Sequence, residues 1–131
     1  MINDFGKIWW EDSWLLGWER TDSELMLYVE LHLLGNHPLF EPYDRKKDFG
    51  CYKTARLVVG GLYAVTGFPS DCQDRQWDGN LNEYKDVGDI DVIDIGDEGR
   101  KLSMEISAVR AADSFRLEAA GGSIDLFFEE F

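Results

Sequence analysis

Residues 24–34 read ELMLYVELHLL, and this stretch decides the fold. Apolar residues occupy every second position, which is the period of a β-strand with one buried face and not the period of a helix. We therefore predict a long strand whose buried face carries Leu25, Leu27, Val29, Leu31 and Leu33.

The segments on either side of this strand extend the same pattern. Upstream, Trp14, Leu16 and Trp18 share one parity, and the polar residues 21–23 separate them from the strand as a turn would. This arrangement predicts a first hairpin. Downstream, residues 35–50 contain two prolines and no periodicity, so we expect a loop or an irregular crossing. Residues 55–66 then predict a strand whose parity changes at Gly60-Gly61, as it does at a bulge or a sharp bend.

The last third of the chain predicts a meander of short strands. Alternating apolar positions occur in residues 90–95, 102–108, 115–119 and 124–128, and Gly121-Gly122 offers a two-residue hairpin turn. No segment has an apolar stripe at helical spacing over three turns. We predict a mainly β protein: a single-domain antiparallel β-sandwich, or a strongly curled, partly closed sheet, with at most short helices. Residues 1–131 are expected to form one domain.

The chain has a large excess of negative charge. It carries 26 Asp and Glu against 13 Lys and Arg, a formal net charge of -13, and yet 44% of its residues are hydrophobic. The charge therefore belongs to a folded surface that repels nucleic acid and anionic lipid and attracts basic proteins. Residues 82–131, with 13 acids and 5 bases, are more anionic than residues 1–81, with 13 acids and 8 bases. We predict a basic protein partner, with neither nucleic acid nor membrane as a partner.

The N-terminal segment, the apolar runs and the cysteines bear on the cellular compartment of the protein. The N-terminus has no basic segment followed by an apolar stretch, and no apolar run approaches the roughly 20 residues that span a bilayer. Two cysteines without a signal peptide are more often reduced than paired. These features indicate a cytoplasmic protein.

The densest group of carboxylates lies in the more anionic part of the chain. Its alternative interpretations are a solvated surface, a partner-binding patch and a metal site. In a regular strand Asp89 and Asp91 would share one face and Asp94 would lie on the other, so they would not converge on a metal. We assign the group to partner binding together with Trp77, an isolated tryptophan in a polar stretch. The carboxylates are Asp86, Asp89, Asp91, Asp94, Asp97 and Glu98.

Residues 74–81, DRQWDGNL, approach the pattern of a calcium-binding loop. They place oxygen-bearing side chains at the first, third and fifth positions and a glycine at the sixth, as an EF-hand loop does. The twelfth position is Lys85, where such a loop has a bidentate glutamate, and flanking helical patterns are missing. We therefore predict a turn, with one short helical turn within 74–85 as an alternative, and no metal site.

No local motif commits the chain to catalysis. His32 and His37 are the only histidines, and neither has a second ligand at a metal-binding spacing. No serine or cysteine stands in a nucleophile motif. We predict structural roles for both histidines, no catalytic residue, no cofactor and no enzymatic activity. The aromatic N-terminal segment, with Trp9, Trp10, Trp14 and Trp18, is expected mainly to pack in the core.

One resemblance adds to this interpretation. The opening Glu11-Asp12-Ser13-Trp14-Leu15, the polar turn, the strand at 25–31 and the later Gly88-Asp89-Ile90 resemble small acidic bacterial β-proteins of the polymorphic-toxin immunity type. The resemblance implies a protein that binds and blocks a cognate toxin domain, often a basic nuclease, and it transfers no specific residue. The alternative is a β-domain that binds a small ligand in an aromatic-lined pocket without catalysis.

Overall fold

The computed structural model describes residues 4–44, 46, 50–67, 88–108 and 115–128. In these ranges the protein is mainly β, as the sequence predicts, and its helices are the two 3₁₀ turns Phe5–Lys7 and Asp97–Gly99. The short helical turn predicted within 74–85 lies outside the described residues. Eight antiparallel strands form one sheet: β1 (Ile8–Arg20), β2 (Glu24–Leu33), β3 (Cys51–Gly60), β4 (Ala64–Thr66), β5 (Gly88–Gly96), β6 (Lys101–Ala108), β7 (Phe115–Ala120) and β8 (Ser123–Phe128).

The order of the strands requires the sheet to curl. The order is β4-β7-β6-β5-β1-β2-β3-β8, so β3 and β4 are six places apart although only three residues connect them. Six strand spacings measure about 29 Å in a flat sheet, whereas the connection can span at most about 14 Å. The sheet therefore bends until its two ends approach each other. It is not closed, because β4 and β8 remain its edge strands among the described residues.

The bend occurs where two glycine pairs meet. The N–H of Gly122 donates to the carbonyl of Gly60 at 2.8 Å, at the point where β3 ends and the chain turns towards β4. A Cβ atom on Gly121 would overlap the same carbonyl oxygen. The two segments of the chain can therefore approach this closely only because residue 121 is glycine. The bend predicted at Gly60-Gly61 is present. The hairpin turn predicted at Gly121-Gly122 is wrong, because β7 pairs with β4 and β6 whereas β8 pairs with β3.

The inner surface of the curled sheet holds one hydrophobic cluster. The five residues predicted for the buried face of β2 are each 0 or 1% exposed. They pack with residues of the neighbouring and opposite strands, which include Ala55, Leu57 and Val59 of β3 and Leu102, Met104 and Ile106 of β6. The alternate residues of the same strands form the outer face of the sheet, which carries the candidate site.

Candidate functional site

A wide bulge in β1 reshapes the outer face. Trp9 pairs with His32 and Trp14 pairs with Glu30, so four residues of β1 lie opposite the single residue Leu31. The bulge interrupts the backbone hydrogen bonds between β1 and β2, and Ser13 replaces part of them. Its hydroxyl donates to the Trp9 carbonyl and accepts from the backbone N–H of His32, both at 2.9 Å. Bulges of this kind redirect side chains, and this one turns Asp12 towards the neighbouring strands.

Asp12 is the centre of a hydrogen-bonded group across three strands. Its Oδ2 atom accepts from Nδ1 of His32 on β2 at 2.6 Å and from the hydroxyl of Tyr52 on β3 at 2.7 Å. His32 and Tyr52 are paired in the β2–β3 register, which places their side chains next to each other. The Asp12 side chain remains 43% exposed although His32 is buried. The carboxylate is thus fixed in position and still accessible.

Four aromatic rings form a row of contacts, and the two inner rings, those of His32 and Tyr52, bond this carboxylate. The ring of His32 lies 5.2 Å from Trp9 and 4.8 Å from Tyr52 between centroids, and Tyr52 lies 5.2 Å from Trp14. The interplanar angles of 42 to 49° are those of tilted contacts. We call Trp9, Trp14, His32 and Tyr52, together with Asp12, the aromatic cluster.

Gly50 fixes the position of the His32 ring from the other side. A Cβ atom at this position would overlap Nε2 and Cε1 of His32, and the ring cannot move aside freely because Asp12 holds its Nδ1 atom. The chain that enters β3 therefore passes directly over the imidazole. This close approach explains why His32 is only 8% exposed although its side chain lies on the outer face of the sheet.

The hydrogen bonds shift the acidities of the cluster. Burial by itself would raise the pKa of Asp12, but the bonds from His32 and Tyr52 outweigh it and lower that pKa below its ordinary value. Burial and the Asp12 carboxylate together raise the pKa of Tyr52 to about 12. At neutral pH Asp12 is therefore an anion and Tyr52 a protonated donor.

Ser13 lies next to Asp12 and His32 of the aromatic cluster, but the geometry of these three residues is not that of a hydrolytic triad. The hydroxyl of Ser13 bonds two backbone groups and makes no bond to the imidazole of His32, and Ser13 is only 1% exposed. A triad requires the base to take the proton of an accessible hydroxyl. Ser13 therefore serves the backbone of the bulge, in agreement with the sequence, which offers it no nucleophile motif.

The predicted acidic group lies on β5 and the turn that follows it. Asp89, Asp91 and Asp94 lie on β5, and Asp97 and Glu98 lie in the turn Asp97–Gly99. All five are exposed. We call these five residues the acidic segment.

The alternating pattern of the sequence predicts the wrong face of β5 for one member of the acidic segment. It puts Asp94 on the opposite face from Asp89 and Asp91, but the register shifts between Ile90 and Val92. The shift changes the parity of the strand, so that Ile93 and Ile95 pack against the core and Asp94 points outward. All three aspartates of β5 therefore project from the outer face.

The carboxylates of the acidic segment are not neutralised within the described ranges. None of the five forms an ion pair there, and the one side-chain hydrogen bond is donated by the neutral Ser107 hydroxyl to Asp91. Residues 88–108 and 115–120 together hold seven acids and three bases. This half of the sheet therefore presents net negative charge to solvent.

The acidic segment and the aromatic cluster adjoin each other. Trp14 pairs with Asp89 in the register between β1 and β5, and the ring of Trp14 contacts Tyr52 of the cluster. One continuous part of the outer face thus combines exposed carboxylates with aromatic rings. This is the surface that we regard as the candidate functional site.

The other predicted residues are not part of this surface as described. Asp86, Trp77, Lys85 and the calcium-like stretch 74–81 lie outside the described residues. Of the N-terminal aromatic residues, Trp10 and Trp18 are 7% exposed and belong to the core, whereas Trp9 is 49% exposed. Among the described residues, no group of three or more His, Cys, Asp or Glu side chains could hold a metal ion.

An open cleft lies beside the aromatic cluster. It has a volume of about 440 Å³ and is lined by residues 41–44 and 50–53. It therefore shares Tyr52 with the cluster, and its lining residue Gly50 lies against the His32 ring. The ion pair between Lys53 and Glu41, at 2.9 Å, joins the two lining segments. The buried thiol of Cys51 is free, and its sulfur accepts the N–H of Glu41 at 3.4 Å.

Comparison of the chain with protein-family models, with curated proteins and with solved structures finds no match. None of the helices in the described ranges has the length and apolar character needed to cross a membrane.

The aromatic cluster does not follow from the sequence because its members are far apart in the chain. His32 and Tyr52 are brought together only by the β2–β3 register, and Asp12 only by a bulge that no residue pattern announces. One signal was available. The alternate positions of β2 and β3, among them Tyr28, His32 and Tyr52, carry aromatic side chains where a solvated face would carry small polar residues.

Proposed function

We propose that this protein is a binding module for a basic protein and that the acidic segment is the surface which attracts this partner. The observation that supports the proposal is the outward projection of five carboxylates that no cation of the described chain neutralises. Unpaired charge of one sign raises the rate at which an oppositely charged protein associates. The net charge of -13 acts in the same direction.

The more specific proposal is an immunity-type role, in which the module covers the active site of a basic toxin domain. The carboxylates would then occupy the place that an anionic substrate takes in the toxin. Two features support this choice. Residues 88–120 have an excess of acids, and aromatic rings adjoin them. Aromatic residues are common among those that contribute most of the binding energy of a protein interface.

Two matched variants separate the local surface from the total charge. The segment variant replaces Asp89, Asp94 and Asp97 with Asn. The control variant replaces three other exposed aspartates, Asp22, Asp44 and Asp125, with Asn. Both variants lose three negative charges, and both keep the size of each side chain.

The experiment is affinity purification of the tagged protein from its own cells, followed by binding measurements with the purified partner. We expect wild type and control variant to retain the same basic protein, and the segment variant to associate with it about tenfold more slowly. Retention of an acidic or neutral protein, equal loss in both variants, or no retained protein would each contradict the proposal. Inhibition of a nuclease or other toxic activity of the partner tests the immunity role.

The second candidate function is binding of a small ligand without catalysis. The cleft beside the aromatic cluster favours it, because its volume of about 440 Å³ lies within the range of ordinary ligand sites. Two tyrosines, Tyr43 and Tyr52, are among its lining residues. Substitution of Tyr43 with Ala would lower the affinity for such a ligand and would leave the association with a basic protein unchanged.

A further inference from the structure

The aromatic cluster has exposed surface that the packing of the sheet does not require. Trp9 is 49% exposed, and the side chain of Asp12 is 43% exposed. The Asp12 carboxylate receives its two hydrogen bonds on one oxygen, Oδ2, whereas a carboxylate has about four acceptor positions. It therefore retains capacity for a further donor that approaches from solvent.

Flat rings beside a fixed carboxylate form a site for a cation. Aromatic faces attract a cation within about 6 Å of the ring centroid, and tryptophan does so most strongly. The hydrogen bonds from His32 and Tyr52 fix the carboxylate before any ligand arrives, which lowers the cost of ordering it on binding. The exposed Glu11, next to Asp12 in the chain, adds negative charge nearby.

We propose that the aromatic cluster binds the guanidinium group of an arginine side chain that belongs to the basic partner. Arginine fits better than lysine for two reasons. Its planar guanidinium can stack on the exposed ring of Trp9, and two of its N–H groups can donate to Oδ1, the Asp12 oxygen that receives no bond from His32 or Tyr52. The identity of the occupant rests on the proposed function, because the acidic segment next to Trp14 is what brings a basic surface to this place.

A purely structural role would account for only part of the cluster. The bonds of Asp12 to His32 and Tyr52 hold three strands together, and this role needs neither an exposed Trp9 nor an accessible carboxylate. The binding role needs both. Substitution of Trp9 therefore separates the two roles, because Trp9 donates no hydrogen bond to the Asp12 group.

The test uses a blocked pentapeptide with arginine at its centre and glycine elsewhere, and the same peptide with citrulline or lysine in place of arginine. Citrulline has the shape of arginine without its charge. Binding is followed by NMR through the indole N–H signals of Trp9 and Trp14. We expect the arginine peptide to shift both signals and to bind about tenfold more tightly than the citrulline peptide, with the lysine peptide in between.

Three variants locate the site. Trp9→Ala is expected to weaken the arginine peptide about fivefold or more, Trp9→Phe less, and Asp12→Asn at least as much as Trp9→Ala. The matched control is Tyr63→Ala, which removes an aromatic side chain that is 71% exposed elsewhere, and it should leave binding unchanged. Thermal unfolding confirms that each variant is folded before it is compared.

Two results would overturn this inference: equal binding of the arginine peptide and either substitute, or peptide-induced shifts at the amides of Asp89 to Asp94 with none at the indoles. The inference and the proposed function fail separately. If the segment variant loses the basic partner while Trp9→Ala retains it at full affinity, the proposed role of the acidic segment is supported and only the proposed arginine site is wrong.

Discussion

The Oδ2 atom of Asp12 lies 2.6 Å from Nδ1 of His32, twenty residues away on the neighbouring strand, and the same oxygen accepts the hydroxyl of Tyr52. This shared acceptor ties the bulge of β1 to β2 and β3. It also makes the acidity of Tyr52 a reporter on Asp12, because burial, the hydrogen bond and the negative charge all raise the pKa of Tyr52 to about 12.

We predict that Asp12→Asn lowers the pKa of Tyr52 part of the way to its ordinary value near 10, since burial continues to act. The phenolate absorbance at pH about 11 should rise in Asp12→Asn and remain as in wild type in Glu11→Gln, which removes a neighbouring charge. The raised pKa contributes stability that is complete below pH about 10 and is lost as the pH rises through about 12. An unchanged titration in Asp12→Asn would contradict the observed bond.

Ser13 is expected to stabilise the bulge. Ser13→Ala leaves the buried backbone N–H of His32 without its acceptor, and we expect a loss of about 1–3 kcal/mol in the free energy of unfolding. Urea unfolding measures this loss. The control Ser23→Ala, in the exposed turn between β1 and β2, should change stability by less than about 0.5 kcal/mol. Similar losses in both variants would be inconsistent with the role of Ser13.

The turn of the acidic segment carries backbone strain. Asp97 and Glu98 have φ angles of 52° and 57°, in the left-handed region that favours glycine. We expect Asp97→Gly to stabilise the fold by up to about 1 kcal/mol and to slow association with a basic partner. Asp97→Asn, which tolerates the same φ angle, should slow association to the same extent with a smaller gain in stability. Faster association of Asp97→Gly would argue against a binding role for this carboxylate.

His37 is expected to make the fold sensitive to mild acid. It is 6% exposed, its Nδ1 atom accepts the N–H of Leu39 at 3.0 Å, and burial lowers its pKa despite the opposing charge of Asp4. A lowered folded-state pKa means that this stability is present above pH about 6.5 and is lost as the pH falls below that value.

The variant His37→Asn keeps an acceptor for Leu39 and cannot titrate. The difference in unfolding free energy between wild type and His37→Asn should therefore shrink between pH 7.5 and about 5.5. Urea unfolding at several pH values measures this difference. A constant difference would show that His37 is not held neutral.

The sequence could predict most of the fold because β2 alternates strictly. Leu25 to Leu33 specify one buried face, and the glycine pairs at 60–61 and 121–122 mark the bends, so the curled antiparallel sheet follows from local patterns. The strand order could not be predicted. It depends on which edges meet after the sheet curls, and this is a property of the whole chain.

The site was less predictable for the same reason. The exposed carboxylates of β5 were evident from composition, but the position of Asp94 depends on a bulge between Ile90 and Val92 that the residues there do not signal. The sequence predicts a structural role for His32. Its bond to Asp12 agrees with a structural role, and the exposed rings beside it are what add a proposed binding role.

The proposal that negative charge on the acidic segment recruits a basic protein is tested most directly by one rate. The association rate constant of the purified pair is measured by stopped flow at low and high ionic strength, with wild type, the segment variant and the control variant. We predict that the wild-type rate falls at least about tenfold with salt, and that the segment variant is slow at low salt and much less sensitive to it. A wild-type rate independent of salt, or equal behaviour of the two variants, would contradict it.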